Sequence, residues 1–308
     1  MVEEDAGAVA PEEESGELKS YLEAARVAVT VQDIARDLVV EGAKLLVVAD
    51  KIESEVIENG GRMAFPTNIS INEEAAHYTP CLNDEKAFGA GDVVKVDFGV
   101  HVDGFIIDQA FTVDLSGENG KLVEASEKAL QEALAVMKAG VNVSAVGKAI
   151  ASVIEAAGFK PIENLSGHKL ENYLLHAGEE IPNVERGDYV LKEGDVFAVE
   201  PFATTGRGKV IDGSYTEIYS LVNPKPVRMP NTRKLLAFIA EEYKFLPFAS
   251  RWLVQAISSE PSMKLALADL KRSEVLRSYP VLKEINDGMV SQAETTVMVE
   301  KDSVKVLV

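Results

Sequence analysis

The chain is predicted to fold as an α+β domain built on a pseudo-twofold internal repeat, with a curved antiparallel sheet backed by helices and a helical insert. Three observations predict it. The run Gly91-Asp92-Val93-Val94-Lys95-Val96-Asp97-Phe98 returns later as Gly194-Asp195-Val196-Phe197-Ala198-Val199-Glu200-Pro201, each copy a turn and then a strand that reaches a carboxylate. Upstream, Gly42, Val48, Ile52, Val56 and Gly60 match Gly140, Val146, Ile150, Ile154 and Gly158 at one constant offset. Stretches of helical period also alternate with short β-rich runs, as expected when helices cover one face of an antiparallel sheet. A repeat on this scale fixes the architecture before any local motif is read.

Each element follows from period and punctuation. The first seventeen residues hold seven acids and no base, a composition that cannot bury enough apolar surface to order itself. Residues 1–16 are therefore expected to form an acidic flexible tail and 17–308 the folded body. Leu18, Tyr21, Leu22, Ala25 and Val29 mark one amphipathic helix. Leu45, Val48, Ile52 and Val56 mark a second, closed at Gly60-Gly61. Strands from Val93 to Val100 and from Phe105 to Val113 flank Asp103-Gly104, a dipeptide suited to a type I′ hairpin because both residues accept positive φ. The second half repeats the helices, near Lys121 to Lys138 and from Val143 to Gly158. Residues 225–288 fall outside the repeat. Leu235, Leu236, Ile239 and then Leu265, Leu267, Leu270 give them helical period, and Lys225 to Arg277 holds ten Lys or Arg against five Asp or Glu. An inserted helical subdomain is expected there. A β-branched run, Gln292 to Val297, a turn at Glu300 to Ser303 and a last strand to Val308 complete the chain.

Composition bounds the function. With 308 residues, 46% of them apolar, the chain can bury a core of enzyme size. No apolar stretch approaches the roughly 18 to 20 residues of a membrane span, and the N-terminus lacks the basic and apolar regions of a signal peptide. A cytoplasmic protein is expected. The single cysteine, Cys81, allows no intramolecular disulfide and reads as a small structural thiol. A net charge of −19 disfavours a broad nucleic-acid surface, because phosphate binding draws on Lys and Arg.

The first hairpin places two acids together. With Asp103 and Gly104 as the loop, Asp97 faces Ala110 and Asp108 faces Gly99. Asp97 and Asp108 then share one face as diagonal neighbours, roughly 7 to 8 Å apart at the backbone, within reach of a common cation. Taken alone, the hairpin favours two acids facing water on an exposed sheet. The repeat favours a site: it carries Asp97 onto Glu200, and a third acid, Glu294, lies in the C-terminal β-rich run. Four converging carboxylates would repel one another unless protonated or neutralised by cations. Two divalent ions would neutralise them, with a nitrogen ligand drawn from His77, His101, His168 or His176.

At these residues the sequence resembles a known family. Asn68-Ile69-Ser70-Ile71-Asn72-Glu73, Ala76-His77-Tyr78-Thr79-Pro80, the Asp97 and Asp108 pair, Ser166-Gly167-His168, Leu175-His176-Ala177-Gly178 and Val199-Glu200-Pro201-Phe202-Ala203 resemble the methionine aminopeptidases of pita-bread fold. The long gap between Glu200 and Glu294 is similar to the type II enzymes, and the short N-terminal extension to their archaeal form. The resemblance spans about Leu18 to Val308. It implies a metallopeptidase catalytic domain with Asp97, Asp108, His168, Glu200 and Glu294 as ligands of two divalent ions, Co, Mn, Fe or Zn. It implies that Asp108 and Glu294 bridge the ions, and that His77 and His176 contact the substrate. Phe65, Pro66, Asn68, Ile69, Leu175 and Tyr279 would line a pocket for an unbranched apolar side chain.

The chemistry expected of such a site is coherent. Two ions polarise the scissile carbonyl and bring a water to hydroxide near neutral pH. Glu200 would take the proton from that water and hand it to the leaving amine. His176 would donate to the developing oxyanion, and His77 would lie near the leaving nitrogen. His101, unmatched to any such position, is read as structural. The substrates would be N-terminal peptides of nascent proteins, cut before a small second residue, by a protein expected to be a monomer. The basic stretch further gives an expectation of weak ribosome association, with no specific nucleic acid and no membrane as partner. One departure from the family is visible: Thr295 follows Glu294 where a histidine is usual. Strand alternation points Thr295 away from the metals. Two other readings stand beside this one, an X-Pro aminopeptidase or prolidase-like hydrolase and a non-catalytic ribosome- or RNA-associated relative. Retention of all five ligands disfavours the latter.

Overall fold

The structure, a computed structural model, describes residues 16–308; the first fifteen residues, and with them nearly all of the expected acidic tail, lie outside the described residues. Two helix pairs carry the repeat. The first pair is α1 (Gly16–Leu38) and α2 (Leu45–Glu58), and the second is α3 (Gly120–Val136) and α4 (Val143–Ala156). Gly60 and Gly158 stand at matching places after α2 and α4 with φ of 94° and 87°, and a side chain there would meet no neighbour within 4 Å. Both glycines are thus set by the left-handed backbone that ends a helix, not by crowding.

Each helix pair packs on its own sheet. In the first half, strand Val93–Val102 lies between Arg62–Ile71 and Phe105–Asp114. Its register with Phe105–Asp114 sets Asp97 opposite Ala110 and Gly99 opposite Asp108, and the turn residues Asp103 and Gly104 have φ of 51° and 87°. The predicted hairpin is therefore formed residue for residue. Buried His101 accepts the Gly104 N–H at 3.2 Å, which gives this histidine a place in the turn. In the second half, Thr295–Val299 pairs with Val196–Val199, which pairs with Ser166–Leu170.

The two halves meet along a seam of side chains. Glu294 donates its N–H to the Ala110 carbonyl at 3.0 Å and forms an isolated bridge there. On one side of that bridge the Thr296 hydroxyl accepts from the Asp108 N–H and donates to the Asp108 carbonyl, both at 2.7 Å. On the other the Thr112 hydroxyl does the same for Gln292, at 2.9 and 2.7 Å. On either side of the direct bridge, two threonine hydroxyls thus bond the facing backbone. They hold Asp108 and Glu294 at the junction of the halves.

A third body of structure contains α5 (Pro230–Glu242), a 3-10 turn (Ser250–Gln255) and α6 (Glu260–Arg272). These pack with strands Ile218–Leu221 and Leu276–Tyr279 around their own apolar cluster, including Leu235, Ile239, Leu253, Leu267 and Leu270. Several of its cations are already matched. Lys264 and Arg272 each pair with an acid on α6, and Arg251 is buried against Glu53 of α2. The Arg251 guanidinium also donates to Thr79 Oγ1 at 2.8 Å and the Pro80 carbonyl at 3.1 Å, while the Trp252 indole N–H donates to Glu53 at 2.7 Å. This fastens the helical body to α2 and to the loop after His77. Arg251→Ala strands Glu53 without its countercharge, so unfolding in urea should show a loss of about 3 to 5 kcal/mol. A loss under about 1 kcal/mol, as for an exposed pair, would show that the clamp is not structural. Among the described residues no helix is long and apolar enough to cross a membrane.

Candidate functional site

The strand ends and hairpins converge on one cleft of about 240 Å³, lined by Phe65, His77, Asp97, Asp108, His168, His176, Glu200 and Tyr279 among others. Its floor is ionisable. Ligand atoms of Asp108, His168 and Glu294 lie within 4.8 Å of one another, and all three side chains are buried. His168 Nε2 stands 3.5 Å from Asp108 Oδ2 and 3.6 Å from Glu200 Oε1. Asp97 joins through Gln292, whose amide nitrogen is 3.4 Å from both Asp97 Oδ2 and Glu294 Oε2. All five residues expected to be ligands are therefore brought together.

Among the described residues no Lys or Arg pairs with the acids of this cluster, and only His168 stands beside them. Burial raises the Asp97 carboxyl to about 7, against the opposing hydrogen bond from Gln292. Burial, and then the charge of Asp97, hold Asp108 well above the usual carboxylate range. Glu200 and Glu294 are raised in the same way, by burial first and by their neighbouring acids second. One oxygen each of Asp97 and Asp108 is buried with no hydrogen-bond partner. A buried carboxylate oxygen left bare is costly unless a cation takes it. Four carboxylates and an imidazole are hard and borderline donors suited to divalent Mn, Fe, Co or Zn. The residues present therefore fit a metal centre.

The histidines supply the neutral partners. Burial lowers His168 well below its ordinary value; His176, crowded by the protein yet exposed at the cleft, is lowered too, with His77 and Arg277 adding. At neutral pH both are uncharged, so His168 can offer a lone pair and His176 an N–H. The Pro280 carbonyl, 3.2 Å from His77 Nδ1, can only accept. It therefore fixes the proton on Nδ1 and leaves Nε2 as an acceptor. His77 also holds a φ of 68°, a left-handed conformation uncommon outside glycine that aims its ring from the Ala76-His77 corner. The His176 ring lies between those of His168 and Tyr279, with centroids 4.4 and 6.2 Å away.

The apolar wall departs in part from the expected one. Phe65, Asn68, Leu175 and Tyr279 line the cleft, whereas Ile69 and Pro66 do not. Ile69 is fully buried in the core beneath the helices. Neighbouring residues of a strand face opposite ways, so Asn68 and Ile69 cannot share a wall. A register shift between Phe65 and Asn68 brings those two to the same side. Gly99 makes room, since a side chain there would lie 2.3 Å from the Phe65 ring. Phe202, Ile218 and Leu282 complete the wall. Thr295 points away, as strand alternation requires, and its hydroxyl donates to the Val308 carbonyl.

The chain is similar to known proteins in sequence and fold. Residues 19–231 match metallopeptidase family M24. A methionine aminopeptidase of Pyrococcus horikoshii is 52% identical over 292 residues, 94% of this chain and 99% of that protein. One of Methanocaldococcus jannaschii is 46% identical over 294 residues, covering 94% and 99%. Among solved structures, methionine aminopeptidase from Thermotoga maritima aligns with a TM-score of 0.68 at 20% identity, over 97% of this chain and 99% of that one. The structure titled a thermophilic Arx1 aligns with a TM-score of 0.84 at 19% identity, over 96% and 91%. At such identity these structures speak for the fold alone.

Proposed function

The chain belongs to metallopeptidase family M24, its activity is the removal of N-terminal methionine, and we propose that Asp97, Asp108, His168, Glu200 and Glu294 hold the two divalent ions that this hydrolysis uses. The observation that supports the ligand set most is the convergence of Asp108, His168 and Glu294 within 4.8 Å at the cleft floor, with Asp97 and Glu200 beside them. Four carboxylates carry four negative charges, which two divalent ions balance. Bound there, such ions polarise a carbonyl and lower the pKa of water.

The side chains do the rest. Glu200, which lines the cleft close to His168, removes the proton from the attacking water and delivers it to the leaving amine. His176, neutral and carrying an N–H, donates to the oxygen that becomes negative as the carbonyl is attacked. His77, held as an Nε2 acceptor by Pro280, receives the N–H of the scissile amide. The methionine side chain lies against Phe65, Leu175, Phe202 and Ile218, an apolar wall whose unbranched occupant is ordered by burial.

Beyond the scissile bond, His77 and Tyr279 meet edge to face at 5.7 Å and narrow the space for the second residue. Methionine should therefore leave quickly before Gly, Ala or Ser and roughly tenfold or more slowly before Lys, Glu or Leu, as one or two extra methylenes cost in a confined site. A peptide panel varied only at the second position, read by released methionine, checks this. Equal rates across the panel, or cleavage of acetylated peptides, would contradict the assignment. Hydrolysis of an X-Pro dipeptide in preference to Met-Ala-Ser would favour the prolidase-like reading. The prolidase of Pyrococcus furiosus shares only 17% identity with this chain, a likeness of fold.

A further inference from the structure

A second groove, of about 210 Å³, opens from the outer end of the cleft and shares Leu175, His176, Pro247 and Tyr279 with it. Strand pairing explains the continuity. Strands Ile218–Leu221 and Leu276–Tyr279 run antiparallel with Ile218 opposite Tyr279 and Ser220 opposite Arg277. Alternation turns Tyr219 and Leu221 into the apolar cluster of the helical body. The other face is left to form a wall: Ile218 and Tyr279 in the cleft, then Ser220 and Arg277 in the groove, then Val222. Ser220 Oγ and the Tyr279 hydroxyl, 3.0 Å apart, fasten the wall where cleft becomes groove.

This groove has the chemistry of a peptide track. Leu174, Val222 and Phe245 are 39%, 50% and 53% exposed, so three of the larger exposed apolar side chains of the molecule gather along it. Apolar side chains gathered at the mouth of a site mark an interaction surface. Arg277 is exposed and, among the described residues, no acid lies within ion-pair distance of it. The polypeptide beyond its first residue must leave the cleft, and the ring series His168, His176, Tyr279 leads from the floor to this groove. A step of two strand residues, Tyr279 to Arg277, covers roughly 6.6 Å. An extended substrate advances about two residues over that distance.

We propose that the groove is the track for residues three to five of the polypeptide substrate, with Leu174, Val222 and Phe245 as an apolar shelf and Arg277 as the group that reads an acidic side chain. The inference rests on the reading of the cleft as the methionine-release site. It adds a preference beyond the second residue: an apolar fourth residue and an acidic fifth residue should speed cleavage.

The test uses the metal-loaded full chain and four substrates: Met-Ala-Ser, and the amides of Met-Ala-Ser-Leu-Glu, Met-Ala-Ser-Leu-Gln and Met-Ala-Ser-Gly-Gln. At low salt, kcat/KM should be about two- to fivefold higher for the Glu than for the Gln peptide, the range of an exposed ion pair, and that ratio should fall toward one at high salt. Arg277→Gln should bring the ratio to one at low salt, while Met-Ala-Ser turnover reports separately any effect through His176. Using the ratio cancels any effect of Arg277 on His176. Phe245→Ser should remove the advantage of Leu over Gly at the fourth position. A Glu-to-Gln ratio indifferent to Arg277→Gln, together with equal turnover of the Leu and Gly peptides, overturns the track while Met-Ala-Ser cleavage leaves the active site standing. Absence of Met-Ala-Ser turnover overturns the reading of the cleft and the track with it.

Discussion

Glu200→Gln lowers kcat for Met-Ala-Ser by at least about 10² to 10⁴, the range lost when a positioned acid–base group is removed, and leaves the fold intact. The carboxylate is asked to do two things that an amide of the same shape cannot. It contributes a negative oxygen to the centre beside His168, and it carries a proton. In the metal-free protein, burial and the charges of Asp97 and Asp108 hold its carboxyl well above the ordinary range, and bound cations would draw it back down. The same repulsion means that the neutral amide of the Glu200→Gln variant relieves the metal-free protein, so its melting temperature should equal or exceed that of the parent. Saturation kinetics and thermal melts on the same preparation separate the effects. Near-normal turnover would remove Glu200 from the chemistry.

Removing the metal gives the other large effect. Chelation should abolish methionine release, and Mn or Co should restore it, with an affinity that depends on pH in a fixed direction. Asp97, raised to about 7, is mostly protonated at pH 6.5, and Asp108, Glu200 and Glu294 are raised as well. Cation binding requires the ionised forms, so these protons must leave. His168 adds none, since its depressed value keeps it neutral there. Apparent affinity should therefore climb as pH rises through 7, by about tenfold per pH unit for each proton displaced. Calorimetric titration at pH 6.5 in two buffers of different ionisation enthalpy measures the protons released. A heat independent of the buffer would mean that the acids are already ionised, and that the centre is wetter than its burial implies.

The local parts of this site were legible from residue order. Asp103-Gly104 dictates the hairpin, and the hairpin sets Asp97 and Asp108 on one face. The repeat brings Glu200 to the same place, and alternation turns Thr295 away. What the sequence did not disclose depends on contacts between distant segments. Nothing in the words Gln292 or Thr296 says that one bridges Asp97 to Glu294 and the other clamps the backbone of Asp108. Both follow from how the two half-sheets meet. The resemblance places both Asn68 and Ile69 on the pocket wall, but a strand irregularity brings Phe65 and Asn68 to the cleft and leaves Ile69 in the core. Arg251 counts among the ten bases of the insert, yet it is buried on Glu53 and adds nothing to an outer field. Charge counts along a chain overstate surface charge wherever one arginine closes an internal contact.

If Asp97, Asp108, His168, Glu200 and Glu294 together hold two divalent ions, native mass spectrometry of the full chain after reconstitution with Mn shows a species two ions heavier than the chelated chain. Asp108→Asn should lose both ions, because Asp108 sits where the first half meets the second. A reconstituted chain that carries no ion, or an Asp108→Asn variant that still carries two, would contradict that ligand set.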